Sequence, residues 1–78
     1  MTKVMVSLQA INDVKEFVNI VMRYDFDIDL VSGRYAVDAK SIMGIFSLDL
    51  SKPIDLNIHS ENDSEANTIL SVLAPYIV

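Results

Sequence analysis

Cysteine is absent from the 78 residues, and histidine occurs once, as His59. The first absence excludes disulfides, cysteine-zinc centres and thiol nucleophiles, and it fits a reducing compartment. A single histidine excludes multi-histidine metal centres and any H-E-x-x-H motif, so neither a metal nor a cofactor is expected. Glycine is limited to Gly33 and Gly44, too few for a glycine-rich phosphate loop. Basic residues are also scarce. Six Lys+Arg against eleven Asp+Glu leave a net charge of -5, which offers a phosphate backbone no footprint, so nucleic acid is not an expected partner. Long hydrophobic runs are missing too. The longest apolar stretch, Ile69 to Val78, is interrupted by Ser71 and Pro75 and falls short of the roughly 20 residues that cross a bilayer. Near the start, Val4-Met5-Val6 is ended by Ser7, too short for the apolar part of a secretory signal. A cytoplasmic protein with no membrane partner is the expectation.

Hydrophobic residues make up 51% of the chain, enough for a single domain over residues 1–78 with one core. Their spacing gives the elements. Val4, Val6 and Leu8 alternate with Lys3, Met5 and Ser7, which predicts a half-buried strand over 3–8. Val14, Phe17, Val18, Val21 and Met22 recur at helical spacing and predict a helix from about residue 12 to Arg23, with Asn12 or Asp13 as its N-cap. Phe26, Ile28 and Leu30 alternate again, and the alternation resumes at Tyr35 and Val37 after Ser32-Gly33, the pattern of a hairpin turning at Gly33. Ser41 before Ile42-Met43-Gly44-Ile45-Phe46 reads as the N-cap of a helix of one to two turns. Ile54, Leu56 and Ile58 mark a fourth strand. Asn62, Asp63 or Ser64 caps a last helix with the stripe Ala66, Ile69, Leu70 and Leu73, stopped near Pro75. Because each strand is apolar on one face only, the expected fold is α+β: an open-faced β-sandwich whose four-stranded antiparallel sheet carries three helices on one side. The apolar end, Pro75 to Val78, is expected either to fold back on the core or to form a dimer contact.

Among residues that carry chemistry, Ser41 has two readings. It is an ordinary N-cap, or a site where a phosphoryl group meets the positive end of a helix dipole with Lys40 adding to the field. Ile42, Met43, Ile45 and Phe46 are likewise either core or, where a short helix leaves some of them outside, a Met-aromatic docking patch. His59 is placed on the polar face of the fourth strand, near Asp27, Asp29 and Asp55. Solvated surface is its ordinary role, phosphoacceptor or catalytic group its alternative. No G-x-S-x-G context supports Ser-His-Asp chemistry, nothing resembles a calcium loop, and the chain is expected not to be an enzyme.

The run Lys40-Ser41-Ile42-Met43-Gly44, continued by Ile45-Phe46-Ser47-Leu48, resembles the HPr family, the small phosphocarrier proteins of the bacterial sugar phosphotransferase system. Arg23-Tyr24-Asp25 and the alternation from Phe26 to Leu30 resemble the end of that family's first helix and its second strand, and the remaining elements follow in the family's order. The resemblance implies a four-stranded antiparallel sheet with three helices on one face. It also implies a phosphoacceptor histidine in a His-x-Arg-Pro motif just before the first helix. Counted back from Tyr24 without a gap, those places hold Ala10, Asn12 and Asp13, so the resemblance carries no acceptor there, and Asp13 would repel a phosphoryl group.

What the resemblance leaves is Ser41 as a regulatory phosphorylation site, with Lys40, Ile42, Met43 and Phe46 as the partner-binding patch. The implied partners are proteins: an HPr kinase/phosphorylase, a transcriptional regulator or a permease component. The expected function is an HPr-like regulatory or interaction module that is not competent for histidine phosphotransfer. A phosphocarrier with a non-standard acceptor such as His59 and a purely structural binding module are the alternatives, and oligomeric state stays open.

Overall fold

A computed structural model describes residues 2–78. In chain order the elements are β1 (Thr2–Val6), α1 (Ile11–Val21), β2 (Asp27–Ser32), β3 (Tyr35–Asp38), α2 (Ile42–Phe46), β4 (Ile54–His59), α3 (Asp63–Val72) and a 3-10 turn over Ala74–Tyr76. The sheet has the order β1-β4-β2-β3, and every neighbouring pair is antiparallel. The last strand of the chain therefore lies between the first and the second. Ile54, Leu56 and Ile58 of β4 point to one face, beside Val4 and Val6 of β1 and Ile28 and Leu30 of β2, and the helices cover that face. The alternation of apolar and polar residues thus yields the expected α+β open-faced sandwich, with Lys3, Asp27, Asp29, Asp55 and His59 on the uncovered side.

Helix α1 buries Val14, Phe17, Val18 and Val21 against the sheet. Three local expectations are corrected. The helix begins at Ile11 with Ala10 as N-cap, not Asn12 or Asp13. An alanine has no acceptor to cap with, but the Asp13 carboxylate, inside the first turn, accepts the Ala10 N–H at 3.3 Å and holds the chain there. Met22 follows the last helical residue and is 62% exposed, so it leaves the buried stripe. Strand β1 ends at Val6, and Leu8 is buried in the segment that follows it. At the hairpin the expected turn is present: Gly33 has φ 60° ahead of Arg34, the arrangement of a II′ turn, where a side chain at the first central position is strained. Helix α3 takes Asn62 as N-cap, its side chain accepting from the N–H groups of Ser64 and Glu65, and buries Ala66 and Ile69. Leu73 is buried just after the helix.

The tail folds back. After Pro75 the chain runs beside β1, with Val6 and Ile77 forming a bridge, the Ser7 N–H donating to the Tyr76 carbonyl at 2.8 Å and the Val78 N–H to the Met5 carbonyl at 3.0 Å. Tyr76 anchors it. Its ring meets Phe17 edge to face at 6.4 Å, and its hydroxyl donates to Glu16 Oε2 at 2.7 Å. The bond to Glu16 is the largest reason the phenol is pushed up to about 12. A phenol raised in the folded state stabilises the fold fully below its unfolded value, and that contribution is lost as pH rises through the folded value. Urea midpoints measured from pH 9 to pH 12 should therefore fall more for the native protein than for Tyr76→Phe, with the excess between about pH 10 and 12. Deleting Tyr76–Val78 should lower the midpoint at every pH, since it uncovers Phe17 and the β1 edge.

Candidate functional site

Ser41 stands at the start of α2 with extended backbone (φ -102°, ψ 105°), and its Oγ accepts the Gly44 N–H at 3.1 Å. The N-cap reading of the sequence is therefore realised. A β-turn delivers the chain to this point: the Ser41 N–H donates to the Asp38 carbonyl at 3.0 Å and the Lys40 N–H to Asp38 Oδ1 at 2.8 Å. Gly44 is small for a reason of packing. A Cβ on it would lie 3.2 Å from both Ser41 Oγ and Val37 Cβ, so its absence lets the helix settle on β3 while the cap closes beneath it.

The five residues of α2 divide as a single turn must. Ile45 is fully buried, Ile42 is half-buried against the core, and Met43 and Phe46 are 78% and 42% exposed. Burial thus divides the run: Ile45 and Ile42 pack into the core, and Met43 and Phe46 are left outside it. Ser47 closes the helix, its hydroxyl donating to the Gly44 carbonyl at 2.5 Å. Just beyond, Asp49 accepts from the hydroxyl and N–H of Ser51, and these bonds hold its carboxyl below the usual carboxylate range.

Lys40 differs from its expected role. Its ammonium donates to the Tyr24 carbonyl at 2.6 Å, just past the C-terminal end of α1, and so ties α1 to the start of α2. A cation there meets the negative end of the helix dipole. Sequence spacing held no sign of this bond, because Tyr24 and Lys40 are 16 positions apart.

At the start of α1, the place the resemblance assigns to the acceptor is Ala10, exposed at the N-cap with the Asp13 carboxylate on its N–H. The pair contains no imidazole, and the Asp13 charge opposes a phosphoryl group. His59 lies elsewhere, on the open face of the sheet, where it pairs across strands with Asp27 and its Nε2 is 2.7 Å from Asp29 Oδ2. That geometry supports an exposed cross-strand ion pair when the ring is protonated. The Asp29 carboxylate lies against Nε2, one of the two ring nitrogens that a phosphoryl group could take. Among the described residues no cluster of three or more His, Asp or Glu side chains is arranged to hold a metal ion, and no helix is long and apolar enough to cross a membrane.

Comparison with known proteins agrees with this fold. A family model described as "PTS HPr component phosphorylation site" matches residues 12–75, a span that begins after Ala10. The structure is similar to that of HPr-C-His from Thermoanaerobacter tengcongensis, with a TM-score of 0.75 and 26% identity over 94% of this chain and 90% of that one. It is also similar to the phosphocarrier protein HPr from Bacillus anthracis str. Ames, with a TM-score of 0.71 and 30% identity over 99% of this chain and 94% of that one. No curated protein gives a significant match. The sheet order, the capped turn at Ser41 and a family match spanning most of the chain lead to one conclusion: the protein belongs to the HPr family of the phosphotransferase system.

Proposed function

We propose that this chain is an HPr-fold regulatory module that does not carry a phosphoryl group on histidine and is controlled at Ser41. The observation that carries this reading is the α1 N-terminus, where Ala10 and Asn12 stand in the places of the acceptor histidine and the stabilising arginine, and Asp13 stands in that of the proline. The Ser41 end keeps what a regulatory site uses. Its hydroxyl is half-exposed and already lies on a first-turn N–H, so phosphoryl oxygens attached there can accept from the same donors. Modification adds about two negative charges next to Met43 and Phe46, which changes the partners that this apolar patch accepts. Proteins are the partners; the single Lys40 beside the patch, already bound to the Tyr24 carbonyl, is no footprint for an anion-rich polymer.

Incubation with an HPr kinase/phosphorylase and ATP should place one phosphate on the chain, and Ser41→Ala should abolish it. That variant loses the cap and should be about 1 kcal/mol less stable, so it is compared at a temperature where both proteins are folded. With enzyme I and phosphoenolpyruvate the native protein should acquire no acid-labile phosphate. Incorporation that disappears in His59→Ala would replace this proposal with a phosphocarrier that uses His59.

The 78% exposure of Met43 favours a second reading, a binding module that needs no phosphorylation. In that case Met43→Asp loses the protein partner while Ser41→Ala keeps it.

A further inference from the structure

The two edges of the sheet differ. The β1 edge is covered by the chain's own tail through the Val6–Ile77 bridge, whereas among the described residues β3 pairs with β2 alone. Which groups of β3 face outward follows from the register. The Ala39 N–H donates to the Ile28 carbonyl at 2.8 Å, and bonded pairs alternate with unbonded ones along an antiparallel ladder. Leu30–Val37 and Ser32–Tyr35 are therefore bonded pairs, while Val31–Ala36 and Asp29–Asp38 are not. The N–H and C=O of Ala36 and the N–H of Asp38 consequently point away from the sheet, and the Asp38 carbonyl is already taken by the Ser41 N–H.

We propose that this edge pairs with the same edge of a second copy, antiparallel about a two-fold axis at Ala36, so that the two four-stranded sheets become one. The register is set by parity and charge. Outward residues can pair only with outward residues, and symmetry about Ala36 sets Ala36 against Ala36 and brings Arg34 of each copy opposite Asp38 of the other. Both charges are exposed, and they are opposite in sign. On the helix-bearing face the same register covers Tyr35, 73% exposed in the single chain, with Val37 of the second copy.

A slip of two residues in either direction loses both Arg–Asp pairs, and one of the two sets Arg34 against Lys40. A parallel, in-register alignment sets like charges against each other. Short strands with charged ends generally protect an edge from stray pairing. Here the charges are arranged so that they oppose the wrong registers and favour this one. The contact spans residues 34–38 on each side, at the low end of specific interfaces, so association is weak and depends on concentration.

Sedimentation of the native protein should show a reversible dimer as its concentration approaches ~1 mM. Arg34→Glu or Asp38→Lys alone should weaken association about tenfold, because each places like charges at both ends of the pairing. A 1:1 mixture of the two should recover it, since each unlike pair then meets again. Ala36→Pro removes an outward N–H without touching the bonds to β2, and it should sediment as a monomer. Asp38 also caps the turn before Ser41, so Arg34→Glu and Ala36→Pro decide the matter if Asp38→Lys does not fold. A native protein monomeric throughout, or a dimer untouched by Ala36→Pro, would overturn the proposal.

Discussion

Strand β4 is the last strand to be synthesised and lies inside the sheet, bonded to β1 on one side and β2 on the other. Its Ile54, Leu56 and Ile58 form the floor on which α1 and α3 rest, and without it β1 has no sheet partner except the tail. Pairing residues 2–6 with residues 54–58 closes a loop that contains most of the chain, so the entropy of that closure is recovered only when the apolar face is buried as a whole. A domain of this size has little core to spare. The tail adds to it from the other side, where Tyr76 packs on Phe17 and Ile77 and Val78 occupy the β1 edge.

The ends of α1 and α2 show how the same fold holds two different chemical states of a helix start. At α1 the N-cap is an alanine, which offers the first-turn N–H groups no acceptor, and the Asp13 carboxylate instead accepts the Ala10 N–H from within the helix. At α2 a serine hydroxyl takes the capping role, and Gly44 gives it room. Lys40 joins the two regions by binding the carbonyl of Tyr24. The scaffold therefore persists with no histidine before α1. A phosphoryl-carrying site needs particular atoms at one helix end, whereas the sheet and its cover need only apolar residues at the right period.

Much of the architecture was legible because its signals are local. The alternations at Ile28–Leu30 and Ile54–Ile58 and the stripe from Val14 to Val21 identify strands and helix without any partner in view. The caps Ser41 and Asn62 were legible for the same reason, since each bonds an N–H within three residues. Ala10 was missed as a cap because an alanine gives no sign of one, and the group that substitutes for it, Asp13, acts backward from inside the helix. For α2 the spacing could not divide Ile42, Met43, Ile45 and Phe46 between core and solvent, because one turn is too short for a stripe and the division depends on how the turn lies over Val37.

The sequence by itself determined the elements, the one-sided core and the absence of a histidine before α1, since these depend on residue type and period alone. The tertiary structure decided what brings distant positions together: Lys40 on Tyr24, Tyr76 on Glu16 and Phe17, His59 on Asp29, and an open β3 edge opposite a β1 edge closed by the tail. The side-chain contacts among them join residues 16 to 60 positions apart, and the tail reaches β1 from 71 positions away. Their geometry is set by the strand order β1-β4-β2-β3, and no local spacing carries that order.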